Sequence, residues 1–177
     1  MSRYDPVLFR ILGKVAIGLA ILLTTLVTAC DYTVPLVTKP DQDIDRALVG
    51  LWGRTNEEGR VEHLLVLPLG SQEYLVSFPV GSPNAMFARG CGWEGSGLNL
   101  VQLDWFGTAK GVTPDDAKTF QYASYAIESD VLRVRLLNTG LIPGPFTNSA
   151  ELAAAISAHR DHPDLFRAPQ EYVRIPE

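Results

Sequence analysis

The chain has 177 residues, a formal net charge of −5 and only two cysteines. Beyond its first 29 residues it has no cluster of Lys and Arg and no aromatic-basic patch, which speaks against nucleic acid as a partner. Two cysteines cannot build a disulfide framework, so the fold must rest on a hydrophobic core, for which the chain is long enough.

The first element in chain order is an apolar run, Val15 to Ala29, preceded by Arg3, Arg10 and Lys14 with Asp5 as the one acid. A basic start, a short apolar segment and small residues before a cut site predict a secretory signal peptide. This run of fifteen residues falls short of the roughly 20 that span a bilayer as a helix. Extending the run through Ile11 and Leu12 would bury Lys14, which is costly. The run ends in Val27-Thr28-Ala29-Cys30. This tetrapeptide resembles the lipobox of bacterial lipoproteins, with Val27 where Leu is most frequent. The resemblance implies cleavage between Ala29 and Cys30, then acylation of Cys30 by a thioether-linked diacylglycerol and an amide-linked chain such as palmitate. Two or more chains anchor a protein stably. The lipid bilayer is then the first expected partner, at the periplasmic face. Asp31 resembles the inner-membrane retention signal of enterobacterial lipoproteins.

Removing residues 1–29 takes away three basic residues and one acidic residue. The remaining 148 carry 12 basic and 19 acidic side chains, a net charge of −7. Such a domain is not drawn flat onto anionic headgroups. The expected organisation is a signal peptide over 1–29, an acylated cysteine and tether over 30–46, and a globular domain over 47–177. Pro35, Pro40 and four aspartates between residues 31 and 45 predict an extended tether that lifts the domain off the bilayer.

From Leu48 the pattern becomes short apolar runs separated by turn residues. Strands are predicted over 48–54, 61–69, 72–79 and 85–90. Tyr74, Val76 and Phe78 share one face by period-two alternation, and the runs at 61–69 and 72–79 are close enough for a hairpin. The segment 98–106 is apolar on both faces. Leu98 and Leu100 mark one, and Val101, Leu103 and Trp105 the other, which predicts a central or bent strand. Residues 111–116 read as a loop. Segments 120–128 and 131–138 flank Ser129-Asp130, a hairpin signal. In the second arm Leu132, Val134 and Leu136 point one way, while Arg133 and Arg135 point into water, since burying them would be costly. Asn148-Ser149-Ala150-Glu151 then resembles a capping box, with Leu152 and Ile156 four apart on the following helix. His159-Arg160 suit its last turn, and Pro163 ends it. A final strand is predicted over 170–175. The sum is a mainly β fold: a single antiparallel meandering sheet or small open barrel with one C-terminal helix, preceded by an apolar signal helix.

Motifs for catalysis are absent. Gly95-Ser96-Gly97 lacks the spacing and strand-to-helix context of a nucleophile elbow, and no phosphate-binding glycine loop occurs. Glu57, Glu58 and Glu62 lie in a turn and strand start, without the shaping that acid–base work needs. His159 and His162 flank a helix end rather than sharing a helix face, and His63 reads as a strand residue, so no metal site or cofactor is expected. Cys91, alone once Cys30 is acylated, reads as a small buried hydrophobe. No catalytic residue can be named, and an enzyme is not expected. The aromatics are the other signal: in a barrel, Trp52, Trp93, Trp105 and Tyr125 are candidates to line a ligand cavity.

The body, from Gly50-Leu51-Trp52 to the helix and Asp164-Leu165-Phe166, is similar to small proteobacterial lipoproteins. Gly50-Leu51-Trp52, the antiparallel strands, a late helix and a final strand also follow the order of elements in lipocalin-like barrels. The functions expected are a non-catalytic structural or protein-interaction module of the cell envelope, a carrier of small apolar ligands, or a hydrolase with an unrecognised site. An internal cavity lined by Trp and Tyr would favour the carrier.

Overall fold

Nine strands and one helix follow each other in the computed structural model, which describes residues 32–112 and 119–176. The signal segment, Cys30 and Asp31 lie outside the described residues. The strands are β1 (Gly50–Thr55), β2 (Val61–Pro68), β3 (Tyr74–Phe78), β4 (Met86–Gly95), β5 (Leu98–Thr108), β6 (Gly111–Val112), β7 (Phe120–Glu128), β8 (Val131–Leu136) and β9 (Gln170–Ile175). Each pairs antiparallel with its neighbours, and β9 returns to pair with β1. The sheet therefore does not stay open. It closes as an eight-stranded up-and-down barrel, with β6 a two-residue appendage of β5. Closure satisfies every edge. Among the described residues no helix is long and apolar enough to cross a membrane.

Alternation sorts the side chains. Trp52, Val66, Tyr74, Val76, Ala88, Val101, Trp105, Leu132 and Tyr172 form the core inside the barrel. Arg133 stays outside, paired with Glu128 and Glu171. On β5 both apolar faces are used. Val101, Leu103 and Trp105 belong to the interior, while Leu100 joins a second core on the outer wall with Tyr122, Leu137, Leu152 and Ile156. That outer core is covered by helix α1 (Ser149–Ala158), whose Leu152 and Ile156 are fully buried. Its cap is as the sequence predicts, with Asn148 accepting from the Glu151 N–H at 3.0 Å. The reciprocal arm differs: the Glu151 carboxylate takes the N–H of Thr147, one residue earlier.

The expected tether is instead a strap laid on the barrel. Tyr32 bridges Phe120 through two backbone hydrogen bonds of 3.0 and 3.1 Å. The Tyr122 hydroxyl donates to the Val34 carbonyl. The buried Gln102 side chain accepts from the N–H groups of Leu36 and Val37 and donates to the Val37 carbonyl, at 2.7, 2.9 and 2.9 Å. Apolar Val34 and Leu36 then pack on the outer core, which outweighs the extension that the prolines and aspartates favour. Gln102→Leu removes all three bonds, each worth about 1 kcal/mol net. Amide exchange at Leu36 and Val37 is expected to accelerate on the order of a hundredfold, matching about 3 kcal/mol of lost docking. Unchanged exchange would show that the strap does not depend on Gln102.

The strap ends by plugging one end of the barrel. A 3₁₀ turn, Arg46–Leu48, is capped by Asp45, whose Oδ1 accepts from the Ala47 N–H at 2.8 Å. Tyr74 and Tyr125, from different walls, both hydrogen-bond Asp45. Leu48 inserts into the core and its carbonyl accepts from Trp52 Nε1 at 3.0 Å. Arg174 of β9 lies over the Trp52 ring, 4.0 Å from its centroid, and donates to the carbonyls of Ala47 and Val49. Gly50 makes room for it: its φ is +144°, and a Cβ there would stand 2.7 Å from Arg174 Nη1.

Candidate functional site

The other end of the barrel is not filled. A cavity of about 270 Å³ occupies the interior between the plugged base and the mouth, where β1, β3, β5 and β8 end. Its wall is built by the inward positions of all eight barrel strands. Leu64, Val76, Met86, Leu103, Val134 and Leu136 supply aliphatic surface, and Phe78, Trp105 and Tyr172 supply aromatic surface. Gln121, Gln170 and Arg54 are its polar residues.

Arg54 crosses the mouth. It follows Trp52 by two residues, so the same alternation that buries Trp52 turns Arg54 inward. Its guanidinium stacks 5.1 Å from the ring centroids of both Phe78 and Tyr172. It donates to Glu62 at 2.8 and 2.9 Å and to Gln170 Oε1 at 2.5 Å. Glu62 also accepts from Asn56 at 3.0 Å. Burial pushes the Glu62 carboxyl up, but the hydrogen bonds from Arg54 and Asn56, with the charges of Arg54 and Arg60, together hold it below its ordinary 4.5. The Arg54 charge is thus compensated within the clasp. Burial pushes the Tyr172 hydroxyl up, so it stays neutral. The site offers an apolar chamber behind a neutralised ion pair, which suits an uncharged guest better than an acid.

The aromatic candidates from the sequence are not brought together. Trp105 lines the cavity. Its Nε1 is buried without a hydrogen-bond partner among the described residues. Trp52 and Tyr125 are inside the barrel but at the plugged end, bonded to Leu48 and Asp45. Trp93 is on the outer wall in the second core, lying over Gly95, where a Cβ would meet its ring at 2.4 Å. The glycine-rich stretch around Trp93 carries no alternation that could have assigned its face. Arg54, Glu62, Gln170 and Tyr172 were not singled out as a cluster. Period two from Trp52 was the available signal for Arg54; the pairing of β1 with both β2 and β9, which assembles the rest, is not local.

The remaining candidates have structural roles. His159 caps α1 and bonds the Ala155 carbonyl, and His162 accepts from the Asp164 N–H. Among the described residues no group of His, Cys, Asp and Glu could hold a metal. Glu57 and Glu58 belong to the exposed β1–β2 turn. Cys91 is buried on the outer wall beneath the strap. Burial, aided by the charges of Glu73, Asp104 and Asp41, pushes its thiol up to about 11, so it stays protonated and unreactive. No protein-family model, curated protein or solved structure matches this chain.

Proposed function

We propose that this protein is a membrane-anchored, non-catalytic carrier of small, uncharged, largely apolar ligands. The observation that carries the reading is the 270 Å³ apolar cavity, closed at the base by the Trp52–Arg174 plug and clasped at the mouth by Arg54 and Glu62. Cavities for drug-sized ligands start near 300 Å³, so the guest is small. The closed barrel is compatible with a lipocalin-like shape, and Gly50-Leu51-Trp52 opens its first strand. Anchoring follows from the lipobox-like Val27 to Cys30. An interaction module is the weaker reading, because the cavity has no use in it.

The test is titration with N-phenyl-1-naphthylamine, a neutral apolar fluorophore, alongside native mass spectrometry of the gently extracted protein. Saturable one-to-one enhancement, or a co-purified small apolar molecule, is the expected result. No enhancement and no bound molecule would overturn the reading.

The clasp also predicts a pH dependence. A carboxylate whose folded pKa is depressed contributes fully above its unfolded value, here 4.5, and loses that contribution as pH falls through the lower folded value. Dissociation of the fluorophore should therefore accelerate below pH 4.5. Glu62→Gln should already dissociate fast at pH 7 and lose that acid dependence. A flat profile for the native protein would remove the clasp from the release step.

A further inference from the structure

We infer that the mouth of the barrel faces the lipid bilayer, with the β5–β6 edge seated in it, so that ligand passes between membrane and cavity without crossing bulk water. This rests on the acylated Cys30 proposed above and not on the nature of the ligand. Only Asp31 separates Cys30 from Tyr32. Two residues of extended chain reach at most about 7 Å. Tyr32 is 2% exposed and pinned three ways, by two backbone bonds to Phe120 and by its hydroxyl to the Ile142 carbonyl at 3.0 Å. Phe120 is the first residue of β7 and adjoins Gln121, which lines the cavity. The acyl chains therefore emerge beside the mouth. The strap that would have lifted the domain away is spent along the wall and into the base.

The rim next to that point is apolar. Val112 is 84% exposed and Phe106 45% exposed, both at the mouth end of β5 and β6, beside β7. Phe106 follows the inward Trp105 and so faces outward by alternation, and a bulge between the Phe87 and Ala88 pairings leaves it without a partner on β4. Lys110 lies in the turn between them, the residue type that keeps its stem in apolar surroundings and its charge at the headgroups. The acidic turn with Glu57 and Glu58 joins β1 to β2, and β1 stands four strands from β5 either way around the ring. The acyl chains and the exposed Phe106 and Val112 share one side of the mouth, across the ring from Glu57 and Glu58. The occupant of the apolar rim is thus the bilayer.

The test uses the mature acylated chain on vesicles of phosphatidylcholine and phosphatidylglycerol. Nitroxide labels are placed at Val112→Cys, on the rim, and at Leu67→Cys, 40% exposed near the base. Cys91 is buried and stays unlabelled. Both sites are exposed, so the fold should tolerate the labels. The expected result is a label at 112 relaxed by oxygen and shielded from aqueous nickel, and the reverse at 67. Labels equally open to nickel, or a deeper label at 67, would overturn the orientation. Mass and flotation of the same sample read the anchor. A chain of unacylated mass that does not float defeats the anchor and the orientation together, whereas a floating chain with a water-exposed label at 112 defeats the orientation alone.

Discussion

Trp52→Ala is expected to cost about 3–5 kcal/mol, the range for removing a large buried aromatic. That is much of the roughly 5–15 kcal/mol that stabilises a domain of this size. Three losses combine. The side chain is fully buried in the barrel core. Its Nε1 holds the Leu48 carbonyl at 3.0 Å. Its ring is the surface on which the Arg174 guanidinium rests, and without it a partly buried cation keeps its backbone acceptors and the Asp130 carboxylate at 3.9 Å but loses its stacking surface. The base plug should loosen with it. Trp105→Phe is the control. Trp105 is as well buried, but its Nε1 has no partner among the described residues, so phenylalanine removes an unsatisfied donor along with some packing. Its cost should be under about 2 kcal/mol, because relief of the orphan donor offsets part of the lost volume. Urea denaturation of the two variants checks the contrast. Equal midpoints would mean that the plug contributes no more than any other aromatic contact.

Filling the cavity should abolish binding without unfolding the protein. Val134 of β8 points inward and lines the chamber. Val134→Phe adds a ring to space that is already empty, so the overpacking penalty of a dense core does not apply. Affinity for N-phenyl-1-naphthylamine should fall at least about tenfold, or 1.4 kcal/mol, while the thermal midpoint holds or rises. Ser124→Phe, on the outward alternation of the neighbouring β7, should leave binding unchanged. If Val134→Phe bound as tightly as the native chain, the fluorophore would be sitting elsewhere and the carrier proposal would fail. A loss of folding in Val134→Phe alone would be read against Leu103→Phe, which approaches the same cavity from β5, two strands away around the ring.

Much of the architecture was legible in local pattern. Alternation placed Tyr74, Val76 and Phe78 on the interior face and sent Arg133 outward. The two apolar faces on 98–106 belong to a strand covered by the barrel core on one side and by the outer core on the other. Asn148 and Glu151 marked the start of α1 to the residue. These signals work because a strand's period and a helix cap are properties of a few consecutive residues. The same locality hides the strap. Pro35, Pro40 and four aspartates describe a solvated chain locally, and nothing in them reveals Gln102, more than sixty residues away in sequence, waiting with three hydrogen bonds.

By itself, then, the sequence determined a β-rich domain with one late helix and an inward and an outward set of side chains. The tertiary structure decided closure, the base plug, the docked strap and the cavity. Each depends on which distant residues end up opposite one another. The pairing of β9 with β1 turns a meander into a chamber, and Arg54 becomes a clasp only because Glu62 and Gln170 arrive beside it from the flanking strands.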